Sequence, residues 1–461
     1  MQPTVIINVV ALSESLLGDH APRLTAFAAQ HGQRHLQPVL PAVTCTAQSA
    51  MVTGRDASDH GIVGNGWFNR TMNEVQFWNQ SNALVNGEKI WDRAKAEDPN
   101  FTCANMFWWY NMYSSADMSV TPRPQYKADG RKVPDVYSYP ADLRDELQRE
   151  LGQFPLFNFW GPASSITSSQ WIADASMHVQ RRFNPTLMLV YLPHLDYGLQ
   201  KLGPVHDDVP ALIREIDDVV GACIDHFEAA GYRVLIVSEY GIEPVDRAIE
   251  VNRVLRREGL LRVRTEDGGE LLDAGASDAF AVADHQIAHV YVRDASNVSR
   301  VASLCEAMAG VDEVLDRSGQ RDRGLAHDRA GELVLVAKPR HWFAYHYWLD
   351  EARAPDFART VDIHRKPGYD PLELFIDPSI ALPKVRIISK LIRKKLGFRT
   401  LMDVIPTDPA LVKGSHGRDR VDATYAPIML GPTSPQSLPF GETLPMTAVS
   451  DVLWRCLTDT S

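Results

Sequence analysis

Apolar, strand-sized runs alternate along the chain with amphipathic stretches of helical spacing. Three runs, TVIINVVAL, LMLVYL and VLIV, are rich in β-branched or aliphatic residues and are predicted to be strands. Two stretches between them are predicted helices: HAPRLTAFAAQHG, which ends at Gly32, and DDVPALIREIDDVVGACIDHFEAAG. The alternation is typical of βα units. It predicts an α/β fold with a mostly parallel central sheet flanked by helices.

The pattern changes at about residue 260, where short strands and charged turns replace the long βα units. This stretch runs to about residue 350 and ends in an aromatic burst, HWFAYHYW. We interpret it as an inserted cap subdomain. The predicted organisation is therefore a first core part at 1–259, a cap at 260–350, and a return to the core at 351–461.

Composition narrows the class of protein. The chain has 461 residues and a formal net charge of −11, which argues against general nucleic-acid binding. Its longest apolar runs are far shorter than the roughly 20 residues that span a bilayer, and MQPTVIINVV leads into a strand without signal-peptide features. We therefore expect a cytoplasmic protein without a transmembrane segment. A homodimer is compatible with the sequence.

The cysteines show no pattern that indicates disulfide bonds. They are five in number, widely scattered and without a CxxC pair: Cys45, Cys103, Cys223, Cys305 and Cys456. Neither a disulfide framework nor a thiolate metal site is suggested, and we expect mostly buried, reduced thiols.

One segment departs from the acidic composition. KVRIISKLIRKKLGFR, residues 384–399, carries seven basic residues and no acidic one, with apolar residues at helical spacing. One interpretation is a helix whose apolar stripe packs on the domain while its basic face is solvated. The alternatives are a phosphate-attracting rim or a membrane-surface contact.

The first motif with chemical content is PAVTCTAQSAMVTG, residues 41–54. A threonine hydroxyl before a helix of small residues is a nucleophile if a metal or a base activates it, and otherwise it is an N-cap. Three further polar motifs follow at strand ends or loops: HLDYGLQKLGP, SEYG and KGSHG. Side chains at the carboxyl ends of strands in open α/β sheets share one crevice.

In this order the motifs resemble the alkaline phosphatase superfamily, and within it the nucleotide pyrophosphatase/phosphodiesterase branch. Thr44 precedes a VTG sequence and then HGIVGNGWF at 60–68. The family's Asp-x-x-x-His-x-x-Gly-Pro corresponds to the segment from Asp196 to Pro204, its Ser-Asp-His-Gly to the segment from Ser238 to Gly241, and its Gly-x-His-Gly to the segment from Gly414 to Gly417.

The resemblance implies an alkaline-phosphatase-like fold and a two-metal site, usually of zinc. It implies that Thr44 is the nucleophile and forms a covalent phospho-enzyme. It further implies that Asp196 and His416 bind one metal and Glu239 the other. Two cations a few ångströms apart would hold the attacking and leaving oxygens.

Several positions differ from the family pattern. The first-strand aspartate falls near Val10 and Ala11, the histidine of the second motif is Gln200, and the Asp-His pair is Glu239-Tyr240. The family's phosphate-binding asparagine is Ala47. Three outcomes follow: replacement ligands, one surviving oxygen-rich site suited to Mn²⁺ or Mg²⁺, or a metal-free site in which Gln200 and Tyr240 form hydrogen bonds.

Two segments supply candidate replacement ligands. AVADHQIAHVYV places His285 and His289 four residues apart, on one face if both lie on a strand, beside Asp284; hydrogen-bonded buried histidines are the alternative. VDIHRKPGYD places Asp362 and His364 on one face, with Asp370 following. The adjacent Arg365 and Lys366 are candidates for binding a phosphate by charge.

Two aromatic clusters are candidates for contacts with the organic part of a substrate. One contains Trp342 and Tyr345 and is otherwise the core of the inserted subdomain; the other is FWWYNMY, at 107–113. We expect one of them to line the substrate pocket. The leading hypothesis is hydrolysis of a small phosphate ester or anhydride through Thr44 at a remodelled metal site. The alternatives are another phosphoryl- or group-transfer reaction and a non-catalytic binding protein.

Overall fold

The computed structural model describes residues 1–431 and 443–459. The α-helices in these ranges are α1 Pro22–His31, α2 Thr44–Thr53, α3 Ala57–His60, α4 Ile90–Glu97, α5 Asp142–Leu151, α6 Leu156–Phe159, α7 Ile166–Phe183, α8 His194–Leu202, α9 Val209–Ala229, α10 Val251–Arg257, α11 Val298–Glu306, α12 Arg317–Asp322, α13 Pro383–Lys395 and α14 Val449–Thr458.

The strands are β1 Thr4–Val9, β2 Gln33–Gln37, β3 Gly66–Asn69, β4 Glu74–Phe77, β5 Cys103–Met106, β6 Met118–Pro122, β7 Gln125–Tyr126, β8 Lys132–Val133, β9 Val136–Tyr139, β10 Leu187–Leu192, β11 Arg233–Val237, β12 Glu243–Ile249, β13 Val263–Glu266, β14 Gly269–Leu272, β15 Ala279–Asp284, β16 Ile287–Val292, β17 Val311–Leu315, β18 Leu333–Ala337, β19 Arg340–Phe343, β20 Gly414–Ser415, β21 Ile428–Leu430 and β22 Thr443–Pro445.

A nine-stranded sheet forms the centre of the molecule, in the order β22-β2-β21-β11-β1-β10-β5-β6-β9. The run from β11 to β6 is parallel throughout, while β21 is antiparallel to both of its neighbours. Every residue of β1 and β10 is buried, as expected of parallel strands covered on both faces. The predicted α/β fold with a mostly parallel sheet is confirmed, including the three predicted strands and both predicted helices.

The predicted insertion contains a sheet of its own. Four antiparallel strands, in the order β15-β16-β18-β17, lie within residues 279–337 and pack in a second hydrophobic cluster. The chain then returns to the main body: β20 pairs with β12, and β21 enters the central sheet between β2 and β11. The boundaries at 259 and 350 remain a prediction.

The five cysteines are all buried and unpaired with one another. Within residues 1–431 and 443–459, no helix combines the length and apolar character needed to cross a membrane.

The basic segment forms a helix, α13, but its apolar stripe does not pack on the domain. No residue of α13 is fully buried, and only Pro383, Ile387 and Lys390 are half-buried. The interpretation in which the apolar stripe packs on the domain and the basic face is solvated was therefore wrong, because most of the stripe faces solvent. The polar flank holds α13 to the body, because Asp403 and the Leu401 carbonyl accept hydrogen bonds from basic side chains on that flank.

Candidate functional site

Three adjacent strands of the central sheet bring polar residues to one crevice. β10 ends at Leu192 and is followed by α8, whose first turn carries Asp196. β11 ends at Val237 and is followed by Glu239 and Tyr240. Because both strands run parallel to β1 and flank it, their carboxyl ends lie at the same edge of the sheet.

Thr44 is the first residue of α2 and is almost fully buried. Small residues dominate this helix, and the whole stretch from Thr44 to Val52 is inside the protein. The Thr44 hydroxyl lies 3.0 Å from the Tyr240 hydroxyl. The N-terminus of a helix carries unpaired N–H groups and a positive end of the helix dipole, so this environment favours an anionic group near Thr44.

A polar network fixes the start of α2. The Cys45 amide donates to the Asn65 side-chain oxygen at 3.0 Å. Asn65 in turn donates to Asp284 through its backbone amide at 2.7 Å and its side-chain amide at 3.1 Å. Burial raises the pKa of Asp284 to about 6, against the effect of these hydrogen bonds. Asp284, at the end of β15, thus connects the inserted sheet to the helix that carries Thr44.

Glu239 is fully buried, and two amides hold its Oε1. Asn8 of β1 donates at 2.5 Å, and Gln48, one turn after Thr44 on α2, donates to the same oxygen. Burial raises the pKa of Glu239 to about 8, while hydrogen bonds from Gln48, Asn8 and Thr44 favour the ionised form. Burial therefore favours the neutral form of the carboxyl, whose Oε1 is held by the helix that begins at Thr44.

Asp196 is held from within its own helix. Gln200, four residues later on the same face of α8, donates to Asp196 Oδ2 at 2.8 Å and accepts from the Tyr369 hydroxyl at 2.9 Å. Burial raises the pKa of Asp196 to about 7. The Gln200 side-chain oxygen and nitrogen are thus both engaged in hydrogen bonds.

His416 lies between two other rings. The Tyr240 ring stacks on it with centroids 3.5 Å apart and an interplanar angle of 4°, and the His285 ring is 3.7 Å away. His416 Nδ1 lies 2.7 Å from the Ala42 carbonyl, so Nδ1 carries a proton. Burial lowers the pKa of His416 well below its usual value. Its Nε2 therefore presents a lone pair, the tautomer required of a metal ligand.

Four buried carboxylate and imidazole atoms of this site have no hydrogen-bond partner among the residues that the structure describes: Asp196 Oδ1, Glu239 Oε2, His285 Nε2 and His416 Nε2. Asp196 Oδ1 and His416 Nε2 are 3.8 Å apart. Bonds of about 2.0–2.2 Å to each atom fit one cation between them. These two residues suit a single ion.

A two-metal centre does not fit the same residues. Val10 offers no ligand atom, and the Tyr240 ring is stacked on His416. Within the described ranges, no group of three or more His, Cys, Asp or Glu side chains is arranged to hold a metal ion. The described residues therefore lack a complete set of ligands for two metals, as the differences from the family pattern predicted.

His285 and His289 do not share a strand face. His285 lies in the two-residue turn between β15 and β16, with a φ of 60°, and its Nδ1 is 2.9 Å from Asp284 Oδ1. His289 lies on β16, where both ring nitrogens bond to backbone groups. The turn breaks the two-residue period, so only His285 reaches the site.

Asp362 and His364 lie in a loop, not on a strand. The Asp362 amide donates to Glu373, and His364 Nδ1 lies 3.3 Å from the Phe77 carbonyl. The predicted common face is therefore absent. No strand exists there to impose it.

Lys366, Trp342 and Tyr345 are all buried. Lys366 Nζ lies 2.7 Å from both Asp370 and Glu373. Trp342 and Tyr345 belong to separate hydrophobic clusters. Trp342 and Tyr345 are therefore surrounded as residues of a hydrophobic core are, and Lys366 belongs to a buried ion-pair cluster. Residues of the other aromatic cluster, Trp108, Trp109 and Tyr110, line a small pocket, about the size of one water molecule, that also contacts Gln48.

Sequence reasoning did not identify Asn8, Gln48, Asn65 or Tyr369 as site residues. Two of them left a signal. Asn8 is the one polar side chain inside the apolar run VIINVV, and Gln48 follows Thr44 at one helical turn. Tyr369 reaches Gln200 only through tertiary folding.

Comparisons with known proteins agree with this fold. The family model for type I phosphodiesterase / nucleotide pyrophosphatase matches residues 4–370. An uncharacterized pyrophosphatase/phosphodiesterase of Schizosaccharomyces pombe is 23% identical over 218 residues, which are 45% of this chain and 38% of that protein. The match thus spans well under half of that curated relative.

Two solved structures share the fold over the whole chain and 96% of their own. Phosphonoacetate hydrolase from Sinorhizobium meliloti 1021, in complex with phosphonoformate, has a TM-score of 0.63 at 15% identity. Murine ectonucleotide pyrophosphatase / phosphodiesterase 5, as an inactive threonine-to-alanine variant with AMP, has a TM-score of 0.59 at 14% identity. With the family model covering most of its length, the chain belongs to the type I phosphodiesterase / nucleotide pyrophosphatase family, within the alkaline phosphatase superfamily.

Proposed function

We propose that this protein hydrolyses a small phosphate or phosphonate ester or anhydride, with Thr44 as nucleophile and Glu239 as its base. The observation that carries the proposal is the position of the Thr44 hydroxyl at the start of a buried helix, bonded to Tyr240, one turn before Gln48, which holds Glu239. A threonine needs such a base because its free hydroxyl is a weak nucleophile.

The chemistry proceeds in two steps. The Thr44 oxygen attacks phosphorus as its proton passes to Glu239, and the bond from phosphorus to the leaving oxygen breaks. The leaving oxygen takes a proton from solvent. Water then attacks the phosphorus of the phospho-threonine and gives a proton to solvent, the bond from phosphorus to the Thr44 oxygen breaks, and the proton on Glu239 returns to that oxygen. A base with a pKa of about 8 suits catalysis near neutral pH, and the α2 N-terminus favours the anionic phosphoryl group.

A divalent ion, when bound, would neutralise charge on the phosphoryl oxygens, and Asp196 and His416 are the residues that would hold it. Zinc is the metal that the family resemblance suggests, and Mn²⁺ or Mg²⁺ suits a set enriched in oxygen ligands. Gln200 contributes by orienting Asp196, since its donor already bonds to that carboxylate.

The nucleophile is tested by Thr44→Ala against Thr53→Ala, the same change at the other end of the same helix. The assay is release of p-nitrophenol from bis(p-nitrophenyl) phosphate and from a p-nitrophenyl phosphonate, with AMP and ATP as further substrates. We expect kcat to fall by about 10³-fold or more for Thr44→Ala and to stay within about twofold for Thr53→Ala. Mass spectrometry of acid-quenched protein should find phosphate on Thr44. Equal turnover by both variants would disprove the assignment.

The metal is tested separately by elemental analysis of unchelated wild type and His416→Ala. We expect about one ion per chain in the wild type and a loss of it in the variant. Two ions per chain would contradict the single-ion proposal, and an unchanged content in His416→Ala would place the ion elsewhere.

A non-catalytic binding role is the second candidate. It is favoured by the way in which site residues satisfy one another, with Glu239 bonded to Asn8 and Gln48, and Gln200 bonded to Asp196 and Tyr369. Calorimetric binding of a phosphate ester without any Thr44-dependent turnover would select this candidate.

A further inference from the structure

Helix α13 presents its apolar side to solvent. Val385, Ile388, Ile392 and Leu396 follow each other at intervals of three or four residues, which places them in one row along the helix. Their exposed fractions are 59%, 55%, 54% and 69%. Leu382 and Phe398, just outside the two ends of the helix, are also exposed. An amphipathic surface helix ordinarily buries such a row.

The attachment of α13 to the body explains this orientation. Ile387 packs against a hydrophobic cluster, Arg386 bonds to Asp403 at 2.7 Å, and Lys390 donates to the Leu401 carbonyl at 2.8 Å. The face carrying Ile387 and Lys390 lies about 170° around the helix from the apolar row, at 3.6 residues per turn. The helix is therefore fixed by one side, and its apolar row points away from the protein.

Basic side chains flank the exposed row. Lys384, Arg393 and Lys395 are exposed and form no ion pair with any residue in the described part of the chain. They belong to a segment with seven basic residues and no acidic one, in a chain whose net charge is −11. This concentration of positive charge around an aliphatic row requires a partner that is anionic and apolar at once.

We propose that α13 is a membrane-surface helix that docks the protein on bilayers containing anionic lipid. The row from Val385 to Leu396 enters the boundary between headgroups and acyl chains, and the flanking lysines and arginine contact lipid phosphates or carboxylates. A second copy of the chain fits this surface less well, because a twofold contact would bring two basic helices together. The inference is independent of hydrolysis at Thr44.

The apolar row is tested by Ile388→Asp/Ile392→Asp in the full chain. Co-sedimentation with vesicles of phosphatidylcholine alone and with 30% phosphatidylserine, at low salt, measures the partition coefficient. We expect at least about tenfold stronger partition onto the anionic vesicles and a loss of at least about tenfold in the double variant. The matched control, Met72→Asp/Val205→Asp, changes two apolar residues that are exposed elsewhere and should bind as the wild type does.

The charge is tested by Lys384→Gln/Lys395→Gln, with Lys127→Gln/Lys338→Gln as the control. Two lysines at an anionic surface are worth roughly a thirtyfold change in partition, and addition of 0.5 M NaCl should remove the preference for phosphatidylserine. Circular dichroism should be unchanged in every variant, since all of these side chains are exposed.

Three results would overturn the proposal. The first is equal partition onto neutral and anionic vesicles, or binding to neither. The second is vesicle binding that Ile388→Asp/Ile392→Asp leaves unchanged. The third is a dimer, seen by light scattering without vesicles, that the same double variant converts to a monomer. The last would make the row an interface between proteins.

Discussion

Substitution of the buried residue Lys366 distinguishes a structural role of this lysine from a role in substrate binding. Its ammonium group is almost fully inside the protein and lies 2.7 Å from Asp370 and 2.7 Å from Glu373. Burial alone lowers the pKa of Lys366, but the two carboxylates more than reverse this effect and hold the pKa above its usual value. The sequence had suggested this residue as a phosphate ligand.

Replacing Lys366 by methionine preserves most of the volume and leaves two carboxylates facing each other without a cation. Breaking a buried ion pair in this way costs about 3–5 kcal/mol. The neighbouring Arg365 forms an ion pair with Asp356 in which both side chains are half exposed, and loss of such a pair costs about 0–1 kcal/mol. Arg365→Met is therefore the matched control, one residue away.

The assay is urea unfolding of both variants at pH 7, followed by circular dichroism, together with KM for a responsive phosphate ester. We expect Lys366→Met to unfold at clearly lower urea and Arg365→Met to match the wild type. Lys366→Met/Asp370→Asn/Glu373→Gln should recover most of the loss, because no uncompensated charge remains. The reasoning is refuted if Lys366→Met keeps wild-type stability while its KM rises, since Lys366 would then act on substrate.

Three other changes have definite expected outcomes. Burial raises the pKa of Glu239 to about 8 from the ordinary glutamate value of 4.5. In metal-free protein, the free energy of unfolding should therefore fall as the pH rises from about 4.5 to 8, by up to about 5 kcal/mol, because the folded state holds this proton longer than the unfolded state. Melting temperatures at pH 5 and 8.5 in chelator should diverge less for Glu239→Gln. Gly241→Ala would place its Cβ 1.7 Å from the Tyr425 carbonyl oxygen and should strongly lower the melting temperature. Asn65→Ala leaves the Cys45 amide unpaired and should cost about 1–3 kcal/mol in urea unfolding and reduce kcat.

The local pattern of apolar and polar residues was enough to predict the main strands of the central sheet and the helices beside them. The segment containing β10 is apolar on both faces, and α9 has the periodicity of an amphipathic helix, so neither depends on distant contacts for its identity. Asp196 and Glu239 were identifiable because they follow such strands directly.

Other features depend on tertiary contacts that no local pattern encodes. His285 departs from the strand period because a two-residue turn falls there. Lys366 lies in the polar stretch HRKPGYD, which reads as an exposed loop, yet its side chain is buried and forms ion pairs with Asp370 and Glu373 inside the protein. For α13, periodicity established an apolar stripe but not which side of the helix would contact the body.

The position of β21 has a consequence for synthesis of the protein. In the described part of the central sheet β2 pairs only with β21 and β22, which lie about 390 or more residues later in the chain. At about 5–20 residues per second, β2 waits roughly 20–80 s on the ribosome for these partners. During that time one edge of β11 is also unpaired, and open strand edges promote association between chains. Ribosome-bound chains of this protein should therefore depend on chaperones until β21 has been synthesised, and products truncated before residue 428 should aggregate.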